Sequence, residues 1–359
     1  MKIRVKGFSL LLLALIVSAS CGQTGSGTDA SLPPRAPVTQ DITFVAVGDM
    51  MISRGVARAI DAAGDPLLPF RPLGDVLKST DFNFGNLECP ISGNDNINGK
   101  GLIFNMHTKD VAGLLEYNFK VVNQANNHAM DQRFPGLQNT MRFLKERNIE
   151  YLGVGNNLDE AWTPKVIEVK GVKFGFIGAC YSSVNDGGVS RNNYVARIED
   201  HDRLKAAIAK IRGQVDFILV TMHAGVEYTR RPNQAQIDFA HAAIDGGADM
   251  VIGAHPHWIQ INEQYKGKYI FYSLGNFLFD QEWSRDTKEG LALKIQVTRR
   301  ADGMSLPLLS RLNRKTAVSQ IELIPVILEH YSTPRHATPE EAQVIFKKIE
   351  APSAIIKPQ

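Results

Sequence analysis

Seven side chains with metal-binding or acid–base chemistry stand close behind short apolar runs: Asp49, Glu88, Asn127, His128, His223, His255 and His257. Carboxylate, amide and imidazole donors together suit zinc, manganese, iron or a similar divalent ion. Two such ions side by side need a shared carboxylate to offset their repulsion. They would activate a water and clamp a phosphoryl or carbonyl oxygen. Each residue also has an ordinary role open to it. Asp49 behind Gly48 has the form of a turn former or helix cap. Glu88 alone would pair with a base, and Asn127 would satisfy a turn. A lone histidine is more often structural, and His107, His201, His241, His330 and His336 are read that way. In His255-Pro256-His257, alternate residues of an extended chain point to one side, while Pro256 restricts the residue before it. What favours a metal site is recurrence, since every member of the set follows an apolar run.

Those runs read as strands. Residues 42–47 lead to Gly48-Asp49, residues 82–85 to Asn86-Leu87-Glu88, and residues 120–122 to Asn126-Asn127-His128. Residues 215–222 end at His223, residues 250–253 at His255, and residues 269–272 at Ser273-Leu274-Gly275-Asn276. Between them, residues 134–148, 202–211 and 236–244 have helical spacing, with Phe134, Leu137, Met141 and Leu144 on one face of the first. Residues 166–169 and 173–179 flank Lys170-Gly171 as a hairpin. Residues 291–297 and 321–328 read as a closing pair of strands. Thr338-Pro339-Glu340-Glu341 opens a last helix with a capping box. The alternation argues α/β layers, a sheet core with helices outside. Strand carboxyl ends are where such folds build sites.

The chain has 359 residues, 44% hydrophobic and 21% charged, which is ordinary globular usage and excludes disorder as the main theme. The formal charge of +3 rests on Lys2, Arg4 and Lys6, and without them basic and acidic residues are equal at 37. A neutral body carries no general footprint for nucleic acid. Residues 1–20 join a basic start to a short apolar run and the small residues Ser18, Ala19 and Ser20, ahead of Cys21. This has the form of a lipoprotein signal, shorter than a bilayer span of about twenty residues. Export and lipid attachment at Cys21 are expected, with residues 21–40, rich in Gly, Ser, Thr and Pro, as a tether. Residues 41–350 form the body and 351–359 a tail. Cys89 and Cys180 sit in apolar surroundings and are expected as buried free thiols.

Six motifs in order carry a resemblance over residues 42–350. They are Gly48-Asp49-Met50-Met51, Asn86-Leu87-Glu88, Ala125-Asn126-Asn127-His128-Ala129-Met130-Asp131, His223-Ala224-Gly225-Val226-Glu227-Tyr228, Gly253-Ala254-His255-Pro256-His257 and Tyr272-Ser273-Leu274-Gly275-Asn276-Phe277. The succession resembles the CapA/PgsA family of bacterial poly-γ-glutamate capsule synthesis proteins, related to calcineurin-like metallophosphoesterases. The resemblance implies a four-layer αββα sandwich with metal at one end of the sheets. It implies that Asp49 and His257 hold one ion, that Asn127, His223 and His255 hold another, and that Glu88 bridges. His128 would aid the transition state or the leaving group. Glu227, Tyr228 and Asn276 would contact substrate.

Three positions depart from the family pattern. Metallophosphoesterases usually open with Asp-x-His, but the third residue here is Met51, a poor ligand for a hard ion. Relatives often carry Trp at Ala224 and a further His at Ala254. One strong divalent site (Mn, Fe or Zn) and a second, weak one are therefore expected. The implied role is synthesis, export or processing of poly-γ-glutamate or another anionic envelope polymer, beside a membrane synthase. A non-catalytic polymer-binding subunit and a stand-alone metallophosphatase are the alternatives. No Gly-rich phosphate-cradling loop is present, which argues against ATP-driven polymerisation.

Overall fold

A computed structural model describes residues 38–95, 101–182, 192–301, 315–351 and 353–357. The leader, Cys21 and residues 22–37 lie outside the described residues. The strands are β1 (Val38–Met50), β2 (Phe82–Leu87), β3 (Phe119–Asn123), β4 (Glu150–Leu152), β5 (Lys165–Val169), β6 (Val172–Cys180), β7 (Phe217–His223), β8 (Met250–Ala254), β9 (Asn262–Tyr265), β10 (Lys268–Phe271), β11 (Asn276–Leu278), β12 (Glu289–Ala301), β13 (Lys315–Glu329), β14 (Thr333–His336) and β15 (Ile355–Ile356). The first sheet has the order β14-β13-β12-β1-β2-β3-β4, with β11 beside the end of β1 and β15 beside β13. The second has the order β5-β6-β7-β8-β10-β9. β1 to β4 run parallel, as do β6, β7, β8 and β10. Their carboxyl ends carry the polar clusters. The expected closing pair is β12 and β13, antiparallel. The hairpin about Lys170-Gly171 joins β5 to β6.

Alternation along the strands decides the layering, because neighbouring side chains point to opposite faces. Val45 and Val47 face the helices Arg54–Ala63, Val111–Glu116 and Arg133–Glu146, packing with Val56, Ile60, Leu114 and Leu144. Phe44 and Ala46 face the other sheet, where Phe82 and Phe84 meet Phe174, Phe176 and Phe217. On the far side of that sheet Ile218, Val220 and Val251 pack on Leu204, Ile208 and Phe239 of helices His201–Arg212 and Gln234–Asp245. Helix, sheet, sheet, helix is the four-layer αββα sandwich expected. β2 and β7 are buried at every position, and β7 is apolar from Phe217 to Val220, while β2 carries the buried amides of Asn83 and Asn86. The inter-sheet ladder is aromatic. Phe44 stacks on Phe82 at 4.8 Å, and Phe174 meets Phe82 edge-on at 5.3 Å. Each buried Phe contributes about 1.5–3 kcal/mol, and good ring pairs add about 0.5–1.5 kcal/mol.

The last helix, Pro339–Lys348, opens with the expected box, Thr338 accepting from the Glu341 N–H and Glu341 accepting from the Thr338 N–H. Cys89 and Cys180 are buried and not disulfide-bonded. Among the described residues no helix is long and apolar enough to cross a membrane.

Two glycines let the strand ends close on the site. A Cβ at Gly48 would fall on the Gly275 carbonyl oxygen, and one at Gly253 on the Tyr272 carbonyl oxygen. Both obstacles are backbone and cannot step aside as a side chain would. Gly253→Ala should therefore cost about 1–3 kcal/mol. Thermal unfolding checks this, and an unchanged midpoint would show that the backbone behind His255 has room to move.

Candidate functional site

β1 delivers Asp49, β2 delivers Glu88 one residue past its end, and β7 ends on His223. The turn after β3 brings Asn127 and His128, and the segment after β8 brings His255 and His257. All seven side chains are at least nine-tenths buried, with Asp49, Glu88 and His223 at 0% exposure. One ligand atom from each of those three lies within 4.8 Å of the others, the one such cluster found among the described residues. Around it, His223 Nε2 lies 2.7 Å from Asn127 Oδ1 and 3.1 Å from His255 Nδ1. His257 Nδ1 lies 3.5 Å from Asp49 Oδ2. Asp49 Oδ2 also accepts from the His255 N–H at 3.3 Å. The sheet ends thus gather the six residues implied as ligands by the motifs.

The backbone here is strained where the site needs it. His255 has φ 102°, His257 φ 58° and Tyr228 φ 62°, left-handed values that residues with a Cβ rarely adopt. Each costs about 1–3 kcal/mol and persists only where the surroundings enforce it, commonly at functional sites.

Electrostatics fit a divalent ion. Burial and then the Asp49 charge push the Glu88 carboxyl well above its usual range. For Asp49 burial also acts upward, but the hydrogen bond and charge of His257, with smaller help from Glu88 and His255, hold it below the usual value. Burial, reinforced by the neighbouring imidazoles, drives His223 well below an ordinary histidine and His255 down to about 3. Both rings are therefore neutral at pH 7, the form in which imidazole ligates. Glu88 Oε1 is buried without a hydrogen-bond partner. A buried carboxylate oxygen left unpaired is costly, and a cation would relieve both it and the Asp49–Glu88 repulsion.

Asn86, which the motif Asn86-Leu87-Glu88 contains without giving it a role, lies at the heart of the cluster. Its amide nitrogen lies 2.7 Å from Asp49 Oδ1, 3.3 Å from Glu88 Oε2 and 3.1 Å from His223 Nδ1. Its own oxygen accepts from the Asn123 amide at 2.9 Å. It ties both carboxylates to one histidine. The only signal in sequence was its place two residues before Glu88, on the same side of an extended chain.

The remaining expected residues divide by depth. His128 Nδ1 bonds Asp131 Oδ2 at 2.8 Å, and its ring stacks on Phe104 at 3.9 Å. That leaves Nε2 facing Glu88 Oε1 at 3.9 Å. Glu227 is exposed at the mouth, and Tyr228 lies half-buried over His257 at 6.0 Å. Burial, then Glu227, raises the Tyr228 phenol to about 12. Asn276, expected among the substrate contacts, is fully buried behind His257. Its Oδ1 lies 2.9 Å from His257 Nδ1, and its amide donates to the Thr287 carbonyl at 2.9 Å. It sets that ring and is closed off from solvent. Met51, where an Asp-x-His histidine would stand, is buried in the apolar layer between the first sheet and its helices. A cleft of about 610 Å³ is lined by Asp81, Lys120 and Lys170 near the opposite strand ends, away from this chemistry.

Known proteins resemble this chain over most of its length. Capsule biosynthesis protein CapA of Bacillus anthracis is 31% identical over 78% of this chain and 69% of its own length. The PGA biosynthesis protein CapA of Bacillus subtilis is 31% identical over 72% of this chain and 68% of its own. Among solved structures, a candidate 5′-nucleotidase from Staphylococcus aureus superposes with a TM-score of 0.50 at 17% identity, covering 87% of this chain and 58% of that one. At that identity the likeness concerns the fold alone. Residues 43–281 match the family of bacterial capsule synthesis protein PGA_cap, and the chain belongs to that family.

Proposed function

We propose that this chain is an exported, lipid-anchored protein that processes poly-γ-glutamate or a related anionic envelope polymer in a metal-dependent hydrolytic pocket. The observation that carries the hydrolytic part is the buried Glu88 Oε1, without a hydrogen-bond partner, on a carboxyl clustered with Asp49 and the neutral His223, with neutral His255 beside them. The names of the Bacillus relatives support the polymer. Asn127, His223, His255 and Glu88 would hold one ion, and Asp49 with His257 would offer a poorer second place. A bound divalent ion supplies Lewis acidity and lowers the pKa of a bound water.

The chain's own residues do the rest. Asn86 fixes Asp49, Glu88 and His223 in register. Asn276 steadies His257. Asp131 takes the Nδ1 side of His128, so that Nε2 faces the pocket, where it can carry a proton to the leaving nitrogen or oxygen. Phe104 covers one face of that ring and excludes water from it.

The test is incubation of γ-linked glutamate oligomers with the purified body plus manganese or zinc, with chain length read by chromatography. Metal-dependent shortening that disappears in His223→Ala is the expected result. Metal-dependent retention of the oligomers without shortening would replace hydrolysis by an accessory binding role.

Anchoring rests on Cys21 and the signal-like residues before it. One acyl chain holds only marginally, so stable attachment needs the several chains a bacterial lipoprotein carries. Cys21→Ala should shift the protein to the soluble exported fraction or block its processing. Labelled fatty acid should enter the wild type only. An unlabelled wild type cleaved after Ala19 or Ser20 would show plain secretion.

A further inference from the structure

Trp283 is 61% exposed, an unusual place for a large indole. It packs at 82° on Tyr228 with ring centres 4.8 Å apart, and Tyr228 in turn lies over His257. A free indole surface thus begins two rings away from Asp49. Tyr228 is held there in a left-handed backbone conformation, its N–H bonded to the Pro256 carbonyl at 2.8 Å.

The charge around this surface is one-sided. Glu227 is exposed beside Tyr228, and among the described residues no Lys or Arg lies within ion-pair distance of it. The nearby cations are engaged elsewhere. Arg230 pairs with Asp286 and Glu289, Lys288 with Glu282, Arg54 with Asp280, and Arg285 with Glu289. Among these described cations, carboxylates of a polyanion would find each one already paired. A cation would find both a π-face and a carboxylate, the pairing that seats ammonium groups. The chain already uses one indole this way, since the Arg230 guanidinium lies 5.0 Å over Trp258.

We propose that Trp283, Tyr228 and Glu227 form a subsite for an ammonium group, and that its natural occupant is the amino terminus of the polymer. This second part rests on the poly-γ-glutamate reading. In a γ-linked glutamate chain every nitrogen is an amide except the one at the amino end. A seat for ammonium beside the metal ligands would therefore register chain ends and leave chain interiors alone. The pocket is then end-directed.

Two titrations of the metal-loaded full chain test it. The first uses tetramethylammonium chloride against sodium chloride at equal ionic strength, reading tryptophan fluorescence in wild type and Trp283→Phe. A tetramethylammonium-specific change lost in the variant supports the subsite, and identical curves overturn it. The second compares γ-linked triglutamate bearing a free amino terminus with its N-acetylated form, by calorimetry. The free form should bind about tenfold more tightly, and Trp283→Ala and Glu227→Gln should each shrink that preference. Equal binding of the two peptides, or a preference that survives Trp283→Ala, overturns the proposal. Binding of neither peptide alongside a Trp283-dependent tetramethylammonium response would keep the subsite and reject poly-γ-glutamate as its source. Trp283 is exposed, so its variants should fold normally, which circular dichroism checks.

Discussion

His223→Ala should leave purification with no divalent metal above background, whereas the wild type should hold about one tightly bound ion per chain. His223 ties the centre together through both ring nitrogens. It meets Asn127 and His255 through Nε2 and Asn86 through Nδ1. Asn127, His223, His255 and Glu88 can furnish one complete set of donors. The other set has Asp49 and His257 but no counterpart to the missing histidine, because Met51 is buried in the apolar layer. Outer-shell changes usually cost about 10–100-fold in metal affinity. Asn86→Ala should fall in that range, and His223→Ala should exceed it. Elemental analysis of the purified body, followed by competition with a chelator, separates the two. Wild-type metal content in His223→Ala would sink the assignment.

The same site sets the sign of the pH dependence. Glu88 holds its proton to a higher pH than an ordinary carboxyl and must release it to ligate. Affinity should therefore rise with pH until the folded Glu88 value is passed. His255, displaced to about 3, stays neutral over the working range and adds no slope there. Glu88→Gln should flatten the profile while weakening binding.

Much of this centre was legible because its residues follow apolar runs. β7 is buried throughout and stops on His223, and the layers follow from which side of each strand is apolar. Thr338 and Glu341 announced their helix locally. What was not legible depends on contacts between distant segments. Asn86 looks like a turn residue, and its role exists only once β1, β2 and β7 have met. β11 is three residues long and pairs with the end of β1 at Asp49–Asn276. Nothing in its own sequence separates it from a loop. The helix Arg54–Ala63 buries only Val56, Ala57 and Ile60, too sparse a stripe to stand out among its arginines. Left-handed backbone at Tyr228, His255 and His257 is imposed by packing, since their residue types favour the opposite sign of φ. Asn276 shows the same dependence on distant contacts. Its motif suggested contact with substrate, but the fold buries it as the support of a histidine.

His128→Ala should keep the metal and lose the chemistry. His128 Nε2 comes no closer than 3.9 Å to Glu88 Oε1, and its other nitrogen is taken by Asp131 at 2.8 Å. It therefore stands beside the ligand set without joining it. Burial raises the Asp131 carboxyl, and the bond and charge of His128 act against that rise. An ionised Asp131 steadies a protonated imidazole, and stacking on Phe104 fixes the ring plane. Proton transfer by a positioned side chain commonly contributes about 10²–10⁴-fold in rate, and a loss of that size is expected on the true substrate. Metal content should match wild type, which distinguishes this variant from His223→Ala. Asp131→Asn should retain the ring position but give up the charge that steadies a protonated imidazole, lowering the rate more than the affinity for substrate. Full turnover in His128→Ala would assign the residue to packing under Phe104. Leaving-group protonation would then have to come from another donor in the mouth, and the Tyr228 phenol, raised to about 12 and therefore protonated at neutral pH, is the group placed to supply it.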